Sequence, residues 1–276
     1  MEEGGDPQGL PVLMLHGMPG TGRLYGPHEK DARARGIRLV GYDRPGYGGS
    51  TPQPGRSVAD CAADVRTIAA ALGVRSLAVW GISGGGPHAL ACAALLPDLV
   101  VAVSSLASTA PFGSSGLDYF DGMGQENVDD IKLMVEDIPA ARAKLDADRE
   151  RMLGMSAKDV VSAFPTLLSD VDAAVFSVEL AEHLHRANRD GLVPGGEGWW
   201  DDGMATLLNW GFNPETIHIP VQIWHGRRDQ FVPFQHGEWL AGVIPEVEAH
   251  LTTEDGHLTL YQSRIPEVHA WLLDHF

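Results

Sequence analysis

A short apolar run that passes through a glycine-rich turn into a helical segment constrains the fold of this chain more than any other stretch. Residues 77–80 (LAVW) are typical of a buried strand, residues 81–85 (GISGG) match the pattern G-x-S-x-G, and residues 87–96 have helical character. A serine between such a strand and such a helix adopts a strained backbone conformation, for which flanking glycines leave room. The pattern favours a nucleophilic Ser83, although a glycine-rich turn that merely contains a serine would have the same letters.

Apolar runs alternate with helical segments on both sides of this turn. A capping box at residues 57–60 begins one helix, and Gly73 ends it. Alternating strands and helices predict an α/β fold with a doubly wound, mostly parallel sheet. The other predicted strands cover residues 11–15, 37–42, 100–106, 221–224 and 248–251.

The alternation is interrupted between residues 111 and 213. This segment is helical and acidic, with 19 Asp and Glu against 8 Lys and Arg. Residues 170–189 carry apolar side chains at helical spacing and predict one helix with a buried face, and residues 191–203 read as a glycine-rich loop with paired tryptophans. We predict a core domain of residues 1–110 and 214–276, into which residues 111–213 are inserted as a helical cap.

Composition and charge exclude several classes of function. The chain has 276 residues, enough for one large domain with an inserted subdomain, and a net charge of −17 argues against nucleic acid and anionic membranes as partners. Cys61 and Cys92 both fall in predicted helices without CxxC spacing, which indicates free thiols and no metal site. Because the first residues lack a basic start and an apolar run, we expect no signal peptide and a cytoplasmic location.

Two further reactive side chains come directly after predicted strands. Asp229 follows the strand at residues 221–224, and His257 follows the strand at residues 248–251. A serine hydroxyl needs a base to take its proton, and that base needs a partner that fixes its tautomer. The chain order Ser83, Asp229, His257 is the one expected with a nucleophile on G-x-S-x-G. Asp255 competes for the acid role, but it shares a loop with His257, so Asp229 is preferred.

Five segments together resemble the α/β-hydrolase superfamily. They are HGMPG at residues 16–20, DRPGYGGS at 43–50, GISGGG at 81–86, HGRRDQFVP at 225–233 and EDGH at 254–257. The resemblance implies a serine hydrolase with a helical cap, of the esterase or proline iminopeptidase-like branch, that needs no metal or organic cofactor. It also implies an oxyanion hole made by the backbone N–H groups of Met18 and Gly84.

The sequence departs from this superfamily at its N-terminus. Members usually have two antiparallel strands before the strand assigned to residues 12–15, whereas only about ten residues precede it here. We therefore expect these edge strands to be missing, with residues 5–9 resembling the turn that would follow them. An uncovered sheet edge must be covered or paired, so we also expect a homodimer.

The expected partner is a small-molecule substrate, namely an uncharged carboxylic ester, thioester or lactone of small to medium size. His16 is expected to order the oxyanion loop and to border the pocket, and Trp199 and Trp200 to line it, with ordinary packing as the alternative for all three. A proline iminopeptidase-like activity is a second possibility: the acidic cap would suit a substrate ammonium group, but Gly84 stands where that family typically has Trp. Cleavage of carbon–carbon bonds, hydroxynitrile lyase activity and a receptor-like protein that retains the triad stay open as alternatives.

Overall fold

The computed structural model describes residues 1–159, 164, 166–208 and 210–276, and within them seven strands form one sheet. The strands are β1 (Glu2–Gly5), β2 (Leu10–Leu15), β3 (Ile37–Gly41), β4 (Leu77–Ile82), β5 (Val100–Leu106), β6 (Val221–Gly226) and β7 (Glu248–Thr252). Their order is β1-β3-β2-β4-β5-β6-β7. Every neighbouring pair is parallel except β1 and β3. The predicted mostly parallel sheet is therefore confirmed.

Helices cover both faces of this sheet, which explains the unbroken apolar runs of its central strands. The β4 strand (LAVWGI) is buried along its whole length. Because successive side chains point to opposite faces, Val79 belongs to one apolar cluster and Trp80 to the other. The carboxyl ends of the parallel strands consequently meet at one edge, held from both sides.

The helices of the described chain fall into two groups. Those after β5 and before β6, from α4 (Gln125–Glu136) to α8 (Glu197–Leu207), occupy the segment predicted to be the cap. None of the described helices has the length and apolar character that crossing a membrane requires. In order they are α1 (Gly26–Ala34), α2 (Cys61–Leu72), α3 (Gly85–Leu95), α4 (Gln125–Glu136), α5 (Ile138–Gly154), α6 (Asp170–Ala174), α7 (Val178–Leu192), α8 (Glu197–Leu207), α9 (Phe234–Val243), α10 (His257–Ser263) and α11 (Ile265–Leu273).

Local capping signals are confirmed where they were predicted. The backbone N–H of Ser57 donates to Asp60 Oδ2 at 2.6 Å, which completes the capping box ahead of α2. The same helix ends at Gly73, whose φ of 68° is left-handed and suits glycine. Such capping interactions can be predicted from the sequence because both partners lie within four residues.

The helices of the predicted cap segment differ from expectation in two places. The single helix predicted for residues 170–189 is wrong, because Ser177 caps a new helix by accepting a hydrogen bond from the backbone N–H of Leu180 at 3.1 Å. The predicted loop at residues 191–203 is largely α8, and its Asp201 and Asp202 pair with the buried Arg44 and Arg56. Residues 160–163, 165 and 209 lie outside the described residues, and the division into core and cap stays a prediction.

The N-terminal edge also differs from expectation. Of the two edge strands expected to be missing, one is present: β1 pairs antiparallel with β3, from Glu2 opposite Gly41 to Gly5 opposite Arg38. The turn expected after it is present, since the backbone N–H of Gly9 donates to the carbonyl of Asp6 at 2.9 Å. The sequence EEGG has no apolar alternation, so pairing with β3 rather than side-chain burial fixes this strand. With β3 covered, the reason for expecting a homodimer is removed, and the dimer stays untested.

Candidate active site

Ser83 sits at the turn from β4 into α3 with a left-handed backbone, φ 55°, which non-glycine residues rarely adopt. The two glycines of the pattern, Gly81 and Gly85, have no room for a side chain, because a Cβ would clash with neighbouring backbone atoms. A Cβ on Gly81 would lie 2.3 Å from the carbonyl oxygen of Gly85, and a Cβ on Gly85 would lie 2.1 Å from that of Leu15. The backbone N–H of Ser83 donates to the carbonyl of Leu106 at 2.9 Å and ties the turn to β5. The glycine pattern thus serves a sharp turn that holds a serine at the carboxyl edge of the sheet.

Asp229 and His257 meet at the same edge. His257 opens α10 after β7, and its Nδ1–H donates to Oδ2 of Asp229, in the turn after β6, at 2.8 Å. The other carboxylate oxygen of Asp229 accepts from the backbone N–H groups of Phe231 and Val232 at 2.8 and 2.9 Å. Asp255, the competing acid, accepts instead from Nε of Arg264 at 3.0 Å. This geometry fixes the tautomer of His257 and leaves Nε2 as the nitrogen that can take a proton.

The surroundings of His257 favour its charged form. Burial lowers the pKa of His257, but the charge and hydrogen bond of Asp229 outweigh burial, and Asp172 adds its charge in the same direction. The pKa of His257 therefore lies above its ordinary value. A base of this kind loses activity as the pH falls towards and below that pKa.

Two residues that hold His257 were missed from the sequence. The ring of Phe231 stacks on the imidazole with 4.6 Å between ring centroids. Asp172 of α6 accepts hydrogen bonds from the backbone at the start of α10. Phe231 lies inside the quoted segment HGRRDQFVP, so an aromatic residue two positions after Asp229 was a usable signal. Asp172 carried no such signal, because its partners at the start of α10 lie more than 80 residues away in the chain.

The loop after β2 lies directly against Ser83. A Cβ on Gly17 would be 3.9 Å from Ser83 Oγ, and a Cβ on Gly84 would be 3.4 Å from the backbone nitrogen of Met18. Met18 and Gly84 are therefore neighbours beside the serine. Their role as oxyanion donors stays a prediction.

His16 anchors that loop through both ring nitrogens. Its Nδ1–H donates to the carbonyl of Gly17 at 2.7 Å, and its Nε2 accepts from the backbone N–H of Arg44 at 3.2 Å. Burial, with the charge of Arg44 adding to it, lowers the pKa of His16 well below its ordinary value. His16 is thus a neutral residue that orders the loop, and it also borders a cavity beside Ser83.

Ser83 faces two cavities. The first has a volume of about 160 Å³ and includes His257 in its wall, and the second has a volume of about 360 Å³ and includes Gly84 and Trp199. Trp200 is not brought to Ser83: among the described residues it lines neither cavity, and the guanidinium of Arg142 lies over its ring at 4.0 Å. Residues common to both walls are Met18, Pro19, Ser83, Phe164 and Phe231.

The two cavities differ in charge. Apolar side chains such as Leu184 and Phe176 dominate the wall of the first cavity. The described wall of the second contains four carboxylates and two cations, and its Lys144 lies 2.6 Å from both Asp130 and Asp148. The remaining charged side chains of that wall are Glu126, Asp129 and Arg151.

Comparison with known proteins assigns the chain to a family. A sequence profile described as "alpha/beta hydrolase fold" matches residues 11–263, nearly the whole chain. The chain belongs to the alpha/beta hydrolase fold family. Within this family the chain is a hydrolase, and the serine, the histidine and the aspartate lie after strands β4, β7 and β6 respectively.

Individual members of the family are only distantly similar. A proline iminopeptidase of Neisseria meningitidis serogroup B is 26% identical, over 93% of this chain and 85% of its own length. The AB hydrolase superfamily protein YisY of Bacillus subtilis is 24% identical, over 93% and 88%. The solved structure of an esterase from Exiguobacterium antarcticum superposes with a TM-score of 0.69 at 21% identity, over 99% of this chain and 93% of the esterase. Similarity at this level shows the fold, and the substrate has to be inferred from the geometry of the site.

Proposed function

We propose that this hydrolase cleaves a small to medium-sized, uncharged carboxylic ester, thioester or lactone through an acyl-enzyme on Ser83. The observation that carries the proposal is the hydrogen bond of 2.8 Å that Asp229 accepts from His257, whose ring borders the same cavity as Ser83. A histidine whose Nδ1–H is held by a buried carboxylate presents Nε2 as a general base. Ser83, in its strained turn, is the nucleophile that such a base would activate.

The reaction has two halves. Ser83 Oγ attacks the substrate carbonyl while Nε2 of His257 takes the hydroxyl proton, and the resulting oxyanion accepts hydrogen bonds from the N–H groups of Met18 and Gly84. Each such donor typically contributes about 10²–10³ in rate. The carbon–oxygen or carbon–sulfur bond to the leaving group then breaks, and His257 protonates that group. Water activated by His257 cleaves the acyl-enzyme in the second half, which releases the carboxylic acid and restores Ser83.

The two cavities support the proposed substrate size and polarity. The first cavity, with a volume of about 160 Å³, has a mainly apolar wall that suits an uncharged limb of the substrate. The excess of carboxylates in the second cavity disfavours an anionic limb. An ester with one apolar limb and one neutral, more polar limb fits both walls.

The acidic second cavity favours one further candidate, a proline iminopeptidase-like activity, because its carboxylates would hold a substrate ammonium group. Gly84 counts against this candidate. A Cβ on Gly84 would lie 3.2 Å from Cβ and Cγ of Met18, so a side chain at this position would require Met18 to shift. Ester and aminoacyl anilide substrates distinguish the two activities: a higher kcat/KM for prolyl p-nitroanilide than for p-nitrophenyl acetate would favour the peptidase.

The proposal is tested by Ser83→Ala. We expect p-nitrophenyl ester turnover to fall by roughly 10³-fold or more, because the acyl-enzyme can no longer form. Labelling of the wild type by a fluorophosphonate probe should disappear in the same variant. Failure of the wild type to label would favour a ligand-binding protein that retains the triad, and undiminished turnover by Ser83→Ala would contradict the proposal.

A matched pair of variants tests the assignment of the acid. Asp229→Asn should lower kcat by about 10⁴-fold, because an amide cannot hold the same tautomer of His257. Asp255→Asn is the control, since its carboxylate binds Arg264 and not the imidazole. Equal losses in the two variants would contradict the assignment.

A further inference from the structure

Asp172 joins the segment between β5 and β6 to the beginning of the helix that carries His257. Its side chain is fully buried, and its Oδ2 accepts a hydrogen bond from the backbone N–H of His257 at 3.0 Å. Its Oδ1 accepts from the backbone N–H groups of Leu258 and Thr259 at 2.7 and 3.0 Å. One carboxylate thus binds three consecutive backbone donors, the first of which belongs to His257 itself.

The chain around this contact is shaped for it. The first N–H groups of a helix lack partners within the helix and are usually capped by the side chain that precedes them. Here the preceding residue is Gly256, and a Cβ on it would lie 2.4 Å from Asp172 Oδ2. Ser169 fixes the carboxylate from its own side by donating its Oγ–H to Oδ2 at 2.9 Å. A distant carboxylate therefore takes the place of a local cap, and glycine leaves the space for it.

We propose that Asp172 is a positioning residue for the base: it holds the backbone of His257 in place and sets a second negative charge, beside that of Asp229, next to the imidazole. This inference rests on the proposed function, in which His257 moves the proton. All three partners of the carboxylate at the start of α10 are neutral N–H groups, so hydrogen bonding leaves its charge in place. As His257 gains a proton in the reaction, that charge stabilises the imidazolium.

The same contact links the base to the substrate cavity. Phe176, four residues after Asp172, contributes to the wall of the first cavity, as do His257 and Leu258. The segment that shapes this wall is therefore fixed to the residue that carries out the proton transfer. Other titratable or charged groups that face or border His257 are Asp229 from the turn after β6, His225 of β6, Asp255 of its own loop with Arg264, and, across the first cavity, His16, Arg23, His183 and Tyr261.

Asp172→Asn tests the proposal, because it keeps the shape of the side chain but removes the charge and one of its two acceptor atoms. We expect kcat for p-nitrophenyl acetate to fall by about 10- to 100-fold with KM changed by less than about twofold. The acid limb of the kcat/KM profile should move to lower pH, because the charge of Asp172 raises the pKa of His257. The matched control is Asp170→Asn in the same helix, whose side chain is 71% exposed and pairs with Arg228; its rate and profile should stay those of the wild type.

A measurement without turnover separates this inference from the proposed function. An NMR titration of the imidazole resonances, with the His257 signal identified by its loss in His257→Gln, should give a lower pKa for His257 in Asp172→Asn than in the wild type. If the wild type shows no hydrolysis, the proposed function fails while this titration still tests the contact. A variant that melts at a lower temperature but keeps the wild-type pKa and pH profile would show a purely structural role and overturn the proposal.

Gly256→Ala provides a second test should Asp172→Asn fail to fold. The added Cβ would displace the carboxylate, so the variant should also lower kcat and the pKa of His257. In an Asp172→Ala background that Cβ meets no carboxylate, and we expect Gly256→Ala to have a smaller effect there. Equal effects of Gly256→Ala in the two backgrounds would overturn the proposal.

Discussion

Asp172 of α6 and Asp202 of α8 are both fully buried, and both fasten the segment between β5 and β6 to the rest of the molecule, but they bind different kinds of partner. Asp202 accepts from the guanidinium of Arg44 at 2.6 and 2.9 Å and from that of Arg56 at 2.6 Å. Asp172 accepts from three backbone N–H groups and one hydroxyl. The charge of Asp202 is compensated where it stands, whereas the charge of Asp172 remains to act on His257. Asp202 therefore only attaches the segment, and we propose that Asp172 also acts on His257, the proposed base.

Asp202 belongs to a larger network of buried charged and polar groups. Burial raises the pKa of Asp202, but the charges of Arg44, His88 and Arg56 outweigh burial and hold that pKa well below its ordinary value. Arg44 also donates to the carbonyls of His16 and Gly17, so the network reaches the loop beside Ser83. Charged groups buried in this way add little net stability, yet removal of one partner is costly because the others stay behind.

The largest expected effect is therefore that of Asp202→Ala. Arg44 loses its carboxylate and Arg56 keeps only that of Asp201, at 3.3 Å, so we expect the free energy of unfolding to fall by about 3–5 kcal/mol. Asp172→Ala leaves only neutral donors without their acceptor, namely the three N–H groups at the start of α10 and the hydroxyl of Ser169, and its cost should be about 0.5–2 kcal/mol, as for the loss of a helix cap. Unfolding in guanidinium chloride at pH 7 measures both. Equal losses would mean that the two carboxylates fasten the segment in the same way.

A smaller effect is expected from His88, which lies in the network with its Nε2 3.7 Å from Asp202. Burial, with the charge of Arg44 adding to it, lowers the pKa of His88 to about 4. Below about pH 6.5 this histidine binds a proton in the unfolded chain, whereas in the native protein His88 stays neutral down to about pH 4. The free energy of unfolding therefore falls as the pH falls through this window.

His88→Gln removes that proton uptake while an amide can still donate to the carbonyl of Gly84, which Nδ1 contacts at 2.8 Å. Between pH 7 and pH 5 we expect the variant to lose about 2 kcal/mol less stability than the wild type. Denaturant unfolding at both pH values gives the difference. An unchanged pH dependence would show that His88 is protonated in the native protein at pH 5.

What the sequence could predict depends on how far apart the partners lie. The sheet, the turn at Ser83 and the closeness of Asp229 to His257 follow from apolar runs and from residues placed directly after strands. The capping box at residues 57–60 is equally local. Each of these features depends on a short stretch of sequence, and the parallel sheet then brings the ends of its strands to the same edge.

The buried carboxylates could not be found in this way. Asp202 stands in a glycine-rich, acidic stretch that reads as a solvated loop, and its partners Arg44 and Arg56 lie in another part of the sequence. Asp172 reads as the third residue of a helix whose apolar spacing runs on past Ser177. Trp200 has the composition of a pocket residue, but tertiary packing places it under Arg142. Whether a charged side chain is buried depends on the partners that the fold places beside it, and the local sequence pattern does not contain that information.

The smallest expected effect belongs to Asp170→Asn, two residues before Asp172. Its ion pair with Arg228 spans 2.6 Å, but the two side chains are 71% and 46% exposed, so solvent screens the attraction. We expect a loss of less than about 1 kcal/mol in dilute buffer, and a still smaller one in 0.5 M salt, where exposed pairs are screened further. Asp172→Asn should retain its effect in the same salt, because its carboxylate is buried. If Asp170→Asn were as costly as Asp172→Asn and equally insensitive to salt, the attachment would belong to α6 as a whole, and the contrast between a buried carboxylate that acts on His257 and one that only fastens the segment would be lost.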